Sequence, residues 1–390
     1  MFYFKLLRMM KTLFITRHYL DEMLGGPNCS KAFVRAVASI CPDTTLIYPE
    51  HNDRKSNLYF LKEYDGLKLL PVYDKRPKWQ KCLDMYRGRL HRFGPFVKDY
   101  LKSHAFDIIF IDHSFTASSG VLEAAMRNGA KIITMHHNVE AQYIKDNQPS
   151  WLFRIPNNHF ALKAERDAIL NSTLNLTLTD DDKATFIARY PEKESSFHTI
   201  GVFEYDEATE SRISVEEGLK FVISGSMSAA QTETATLHFL EEYMPVLNAT
   251  CPDAALVITG RNPSRRILDS SARYNNIKVI PNPEDLTAEV IKGNYYICPL
   301  HTGGGLKLRC MDALRVGLPI LAHKMSTRGY EAIQADGYLF SYSTPGEFAE
   351  ALQKITAIHG SHARVVESFN SHFSFQAGRR RFEEMIRLIR

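Results

Sequence analysis

The stretch Ile297-Cys-Pro-Leu-His-Thr-Gly-Gly-Gly-Leu-Lys-Leu-Arg-Cys-Met-Asp-Ala-Leu-Arg-Val-Gly-Leu-Pro-Ile-Leu321 decides how this chain folds. Residues 295–300 are an apolar run of strand length, Gly303, Gly304 and Gly305 make a tight loop, and residues 306–316 carry helical spacing closed by Gly317. Pro319 opens another strand, so the stretch is one turn of a β-loop-α-β weave. Such a loop brings bare backbone amides to a helix N-terminus, where they and the helix dipole favour an anion such as a phosphate. Lys307 adds a positive charge in the first helical turn; a cation there opposes the dipole and asks for an anionic partner. Asp312, just over a turn on, is placed to accept hydrogen bonds from sugar hydroxyls. The alternative is a glycine loop that only turns the chain, with Lys307 solvated and Asp312 paired to Arg309.

The weave extends in both directions. Residues 219–228 read as a strand with a small-residue loop, whose amides around Gly225 and Ser226 suit a diphosphate. Residues 255–262 form a strand ending in Gly260 and Arg261, and the Arg261 side chain can offer a planar fork to a phosphate. In the first half, strands at 13–16, 44–48, 107–112 and 131–135 alternate with helical segments such as 29–39. The first strand leads to Gly25 and Gly26, read as a loop that lets backbone approach a ligand, with Ser30 as a cap for the next helix. Open parallel sheets bind ligands beyond the C-terminal ends of their strands. His136, His137, Asn138 and Glu140 fall at that edge, where the histidines can act as acid, base or hydrogen-bond donor, Asn138 as an orienter and Glu140 as a partner for a basic group. No carboxylate or cysteine stands at a recognisable metal-ligand spacing from the histidine pair.

The run Gly303-Gly-Gly-Leu-Lys-Leu…Met-Asp-Ala-Leu…Gly-Leu-Pro-Ile resembles the donor-nucleotide motif of GT-B glycosyltransferases, especially family 4-like enzymes, also called glycosyl transferases group 1. That motif usually carries two glutamates; the matching positions are Gly304 and Asp312, so the carboxylate near the nucleotide ribose is kept and the one near the donor sugar is missing. The phrase Thr134-Met-His-His-Asn-Val-Glu140 is similar to the family's His-Asn-x-Glu segment, which implies His137, with His136 as second choice, facing the donor sugar. The resemblance implies an α/β fold of two Rossmann-like, doubly wound parallel-sheet domains facing a central cleft. It places an acceptor domain at 1–203, a linker at 204–218, a donor domain at 219–371 and a final helix at 372–390 packing back on the first domain. It further implies transfer from a nucleoside-diphosphate sugar to a glycan or lipid-linked glycan acceptor in bacterial surface polysaccharide synthesis, with retention. No cofactor is expected and no metal at the chemical step.

Composition sets the remaining bounds. The 390 residues, 44% hydrophobic and 24% charged with a net charge of +4, are ordinary globular material for two or three domains. Six cysteines without C-x-x-C pairs argue against zinc and a disulfide framework. No stretch reaches transmembrane length, and a cytoplasmic protein is the expectation. Residues 75–102 hold nine Lys/Arg against two Asp, interleaved with Trp79, Tyr86, Phe93, Phe96 and Tyr100. That segment suits an anionic surface on the inner face of the cell membrane, or a phosphate-bearing acceptor; its bland alternative is a solvated helix pair with its aromatics in the core. No nucleic-acid module surrounds it. Two other classes compete: a non-catalytic carbohydrate- or membrane-binding protein, and a dinucleotide-dependent oxidoreductase, which lacks a proper G-x-G-x-x-G here.

Overall fold

The computed structural model describes residues 9–22, 24–86, 93–147, 151–204, 218–302 and 306–389. They divide into two compact units, Met1–Glu207 with Ser374–Arg390, and Ala208–Phe373. Most of the expected linker, from residue 205 to 217, lies outside the described residues, as do Gly303, Gly304 and Gly305.

The first unit is built on a seven-stranded, wholly parallel sheet. Its strands are β1 (Thr12–Thr16), β2 (Thr44–Glu50), β3 (Lys68–Tyr73), β4 (Ile108–Asp112), β5 (Lys131–His136), β6 (Leu174–Thr177) and β7 (Phe197–Thr199), in the order β3-β2-β1-β4-β5-β6-β7. Strands flanked by helices on both faces must be apolar along their whole length, and β1, β4 and β6 are buried throughout. Leu13, Ile15, Ile109, Ile111 and Val121 make one core cluster of this unit; each such side chain contributes roughly 1.5–3 kcal/mol by leaving water. β3 has no counterpart among the sequence-derived strands, because Pro71 and a half-exposed face blur its pattern; it lies at the sheet edge, where a proline costs no ladder bond.

Two expectations for this unit are corrected. Gly25 and Gly26 are not in a loop: they open the helix Gly25–Ile40, whose first turn accepts Pro27 because the missing N–H would have no partner there anyway. Ser30 is consequently inside the helix rather than capping it. The late helix Phe375–Leu388 completes the unit. Phe382 lies 5.4 Å from the Phe33 ring and 6.0 Å from the Phe203 ring, and Arg379 Nε donates to Ser39 Oγ at 3.1 Å. Gly378 is required by close approach, since a Cβ there would sit 2.0 Å from the Phe203 ring.

The second unit repeats the plan with six parallel strands: β8 (Lys220–Ser226), β9 (Ala255–Arg261), β10 (Ile277–Pro281), β11 (Tyr295–Cys298), β12 (Ile320–His323) and β13 (Leu339–Tyr342), in the order β10-β9-β8-β11-β12-β13. Its core gathers Phe221, Ile223, Phe239, Ile258, Ile297 and Phe348. The helix after the glycine loop spans Leu308–Arg315, shorter than the expected 306–316. Lys307 precedes it with non-helical φ −94° and ψ 88°, and the Tyr330 hydroxyl donates to its carbonyl at 2.9 Å.

Strand order reverses between β1 and β4 in the first sheet and between β8 and β11 in the second. Helices leave such a point in opposite directions, opening a crevice at the carboxyl ends of the strands.

Candidate functional site

At the reversal in the first unit, Asp112 ends β4 and is wholly buried. Its carboxylate accepts hydrogen bonds from Thr16 Oγ1 at 2.7 Å, from Ser30 Oγ at 2.5 Å and from His137 Nε2 at 2.6 Å. Burial alone would raise its pKa, but His137 beside it, with His18 and the Ser30 hydroxyl, holds the group well below the usual carboxylate range. An ionised Asp112 accepts only, so His137 must carry its proton on Nε2. Ser30, spending its one hydrogen on Asp112, receives one from His18 Nδ1 at 2.8 Å. This chain leaves His18 Nε2 as a lone pair. Burial, then the neighbouring His137, puts the His18 pKa well below 6.5, so the ring is neutral at neutral pH.

A second pair adjoins the first. His113, which has a positive φ of 77°, accepts the Phe115 amide on Nδ1 and therefore donates from Nε2 to Glu140 at 3.1 Å. Asn138 Nδ2 donates to the same Glu140 oxygen at 3.2 Å, so the expected orienter works on Glu140. Glu165 receives the Glu140 amide, and burial pushes its carboxyl up to about 8. His137, Asn138 and Glu140 are thus brought together, and the His137 ring stands 5.1 Å from His18 and 5.3 Å from His113. His136 is not part of this group. It belongs to β5, its Nε2 faces Asn175 Oδ1 at 3.0 Å, its ring packs on Phe186, and burial lowers its pKa to about 4.

His18, Asp112 and His137 could each offer one ligand atom to a cation. The hydrogen bonds from Thr16, Ser30 and His137 make the arrangement a hydrogen-bonded hub around the Asp112 carboxylate.

At the reversal in the second unit, β8 ends in Ser224, Gly225 and Ser226 beside the loop that follows β11. Lys307 is buried, and burial lowers its pKa while the Cys298 thiol opposes the shift. Arg309 reaches back to β8, donating from Nη1 to the Ser224 carbonyl at 3.1 Å and from Nη2 to Thr232 Oγ1 at 3.2 Å. Gly225 makes room for it: at φ +146°, a Cβ would lie 2.8 Å from Arg309 Nη1. Arg309 is thus held by β8, and no ion pair joins it to Asp312 among the described residues. Asp312 keeps exposed surface yet is shielded enough that desolvation raises its carboxyl, against the pull of Arg315 and Arg309. Leu306 is half-buried beside Lys307, and Arg261 is exposed at the end of β9.

Sequence reasoning missed Arg17, His18, Asp112 and Arg309 as site residues. The signal for the first three was positional: each stands where β1 or β4 ends, and those two strands are neighbours only in the folded sheet.

Two wholly parallel α/β units with polar clusters at their reversal points make the GT-B fold, the architecture of nucleotide-sugar-dependent glycosyltransferases. Residues 218–357 match the family model described as Glycosyl transferases group 1, and by that domain the protein is a glycosyltransferase. Among solved structures, HepE from Anabaena in complex with UDP aligns over 97% of this chain and 100% of its own, with TM-score 0.63 and 10% identity. A glycosyltransferase from Rickettsia africae aligns over 97% and 98% with TM-score 0.61 and 12% identity. A UDP-forming α,α-trehalose-phosphate synthase from Burkholderia xenovorans aligns over 98% and 99%, again at TM-score 0.61 and 12% identity. Comparison with curated protein sequences gives no match.

Proposed function

We propose that the protein transfers a sugar from a nucleoside-diphosphate sugar to a glycan or lipid-linked glycan acceptor in bacterial surface polysaccharide synthesis. The observation that carries this is the pair Lys307 and Arg309, two cations at the β8 and β11 ends of a group 1 domain. As the bond to the sugar breaks, negative charge develops on the leaving diphosphate. Preorganised cations stabilise it without reorganisation at the moment of reaction, and no metal is invoked for that step. HepE with UDP and UDP-glucose among the structural neighbours supports UDP as the first nucleotide to test. Retention, implied by the group 1 resemblance, is carried forward as part of this reading. Asp112 and His137 are read as a fixed pair in which Asp112 orients the histidine and His137 serves the donor sugar. Calorimetric titration with UDP and GDP tests the reading; absence of heat with every nucleoside diphosphate would reject it.

The anionic membrane surface belongs to the same proposal. Helix Lys78–Tyr86 exposes Trp79 at 69% beside exposed Lys78, Lys81 and Leu83, while its Asp84 is buried against Arg76. An exposed tryptophan among lysines fits a lipid headgroup layer better than it fits water. Residues 87–92 of the basic segment lie outside the described residues. No helix among the described residues is long and apolar enough to cross a membrane.

A further inference from the structure

Arg17 follows β1 directly and is half-buried, yet none of the described carboxylates lies within ion-pair distance of it. Among the described residues its guanidinium carbon lies over an aromatic face, 5.3 Å from the centre of the Phe115 ring. Among the described residues no carboxylate receives its planar fork of donors, which a phosphate is shaped to engage bidentately. Desolvation lowers its pKa, with Glu140 and Asp112 opposing from a distance, which agrees with a cation kept away from direct partners.

The next residue supplies the complement. His18 Nδ1 is committed to Ser30, and its Nε2 is a lone pair by the hydrogen-bond chain from Asp112. Aromatic contacts join the two residues into one surface: Phe115 lies 5.1 Å from His113, and His113 lies 5.6 Å from His18. An anion receptor and a hydroxyl receptor thus sit side by side where β1 meets β4.

We propose that Arg17 and His18 form an acceptor-binding element for a phosphate-bearing hydroxyl compound, Arg17 taking the phosphate and His18 Nε2 taking the hydrogen bond of a hydroxyl. The word acceptor rests on the glycosyl-transfer reading; the anion site does not. The shared chemistry is a phosphate ester or pyrophosphate near a free hydroxyl, carried by a sugar phosphate or by a lipid pyrophosphate.

The test is calorimetric titration of inorganic pyrophosphate into the full chain already saturated with UDP, which blocks the Lys307 region. Wild type should bind pyrophosphate, Arg17→Gln should bind it at least tenfold more weakly, and Arg17→Lys should recover part of the loss. Arg17→Gln should also melt at or close to the wild-type temperature, since it removes a cation that has no carboxylate partner among the described residues. Equal pyrophosphate affinity in wild type and Arg17→Gln, no binding to wild type, or a melting point several degrees lower would overturn the proposal. Parallel titrations with a hexose monophosphate and a short prenyl pyrophosphate in micelles distinguish the two sources, the tighter ligand naming the class. His18→Ala should raise the KM for the acceptor while leaving UDP affinity unchanged; an unchanged acceptor KM would remove His18 from the element. If UDP itself fails to bind, the donor reading falls, and the Arg17 comparison is run without it and still decides.

Discussion

His137 donates from Nε2 to Asp112 Oδ1 at 2.6 Å, tying the end of β5 to the end of β4. Replacing Asp112 with Asn should cost about 1–3 kcal/mol of stability, because the buried donors of Thr16, Ser30 and His137 lose a charged acceptor. The Asp112 pKa is depressed by folding, so its contribution is fully present above the unfolded value of about 3.9 and is lost as pH falls below it. Urea denaturation between pH 3 and pH 7 should show a shallower acid loss in the variant than in wild type.

Glu165 behaves in the opposite sense. Burial first, with the Glu140 charge assisting against two backbone amides, raises its carboxyl to about 8. Its protonated form is the one the fold favours, so stability is full below about pH 4 and declines as pH rises through 8. Glu165→Gln keeps a carbonyl for the Glu140 amide and should be more stable than wild type by about 2–4 kcal/mol at pH 9, with the gap closing at pH 4. Identical stability curves would show that Glu165 ionises freely.

Lys307→Ala should weaken nucleoside-diphosphate binding by about 1–3 kcal/mol, the range for a hydrogen bond to a charged group. Calorimetry reads this directly, and unchanged affinity would take Lys307 out of the donor site.

Gly225→Ala should displace the Arg309 guanidinium and weaken nucleotide binding as far as Arg309→Ala does. The double variant should then be no weaker than either single one, because both remove the same interaction. Additive losses would separate the glycine from the arginine.

Replacing Trp79, Lys78 and Lys81 together should abolish sedimentation with anionic liposomes at low salt while leaving nucleotide affinity intact. Equal recovery of wild type with neutral vesicles would reject the membrane surface.

His137→Ala should lower turnover and leave nucleotide affinity near normal. Wild-type turnover would count against a role at the donor sugar.

The parallel weave was legible because buried strands such as Asp107-Ile-Ile-Phe-Ile-Asp112 carry their apolar runs openly. What the sequence hides is adjacency. Asp112 and Ser30 are 82 positions apart and meet because β1 and β4 pair, which no local pattern encodes. Gly25-Gly-Pro27 looked like a loop because glycine and proline punctuate most chains; here the burial of Phe33, Val34 and Val37 outweighs local propensity and draws the helix back to Gly25. Arg309 was read against Asp312, its neighbour on the helix, while the structure gives it to β8 across the sheet reversal.

The helix Phe375–Leu388 also sets an order of events. During synthesis the whole of Ala208–Phe373 is made before that helix exists, so the second unit can close on its own residues while the first still lacks a wall. Until Phe382 arrives, Phe33 and Phe203 have an unfilled neighbour position, and the nascent first unit offers sticky surface to chaperones or to other chains. A ribosome that stalls after residue 373 would therefore release a protein with an intact second unit and an unfinished first one, a product that quality control should recognise by its first half rather than its last.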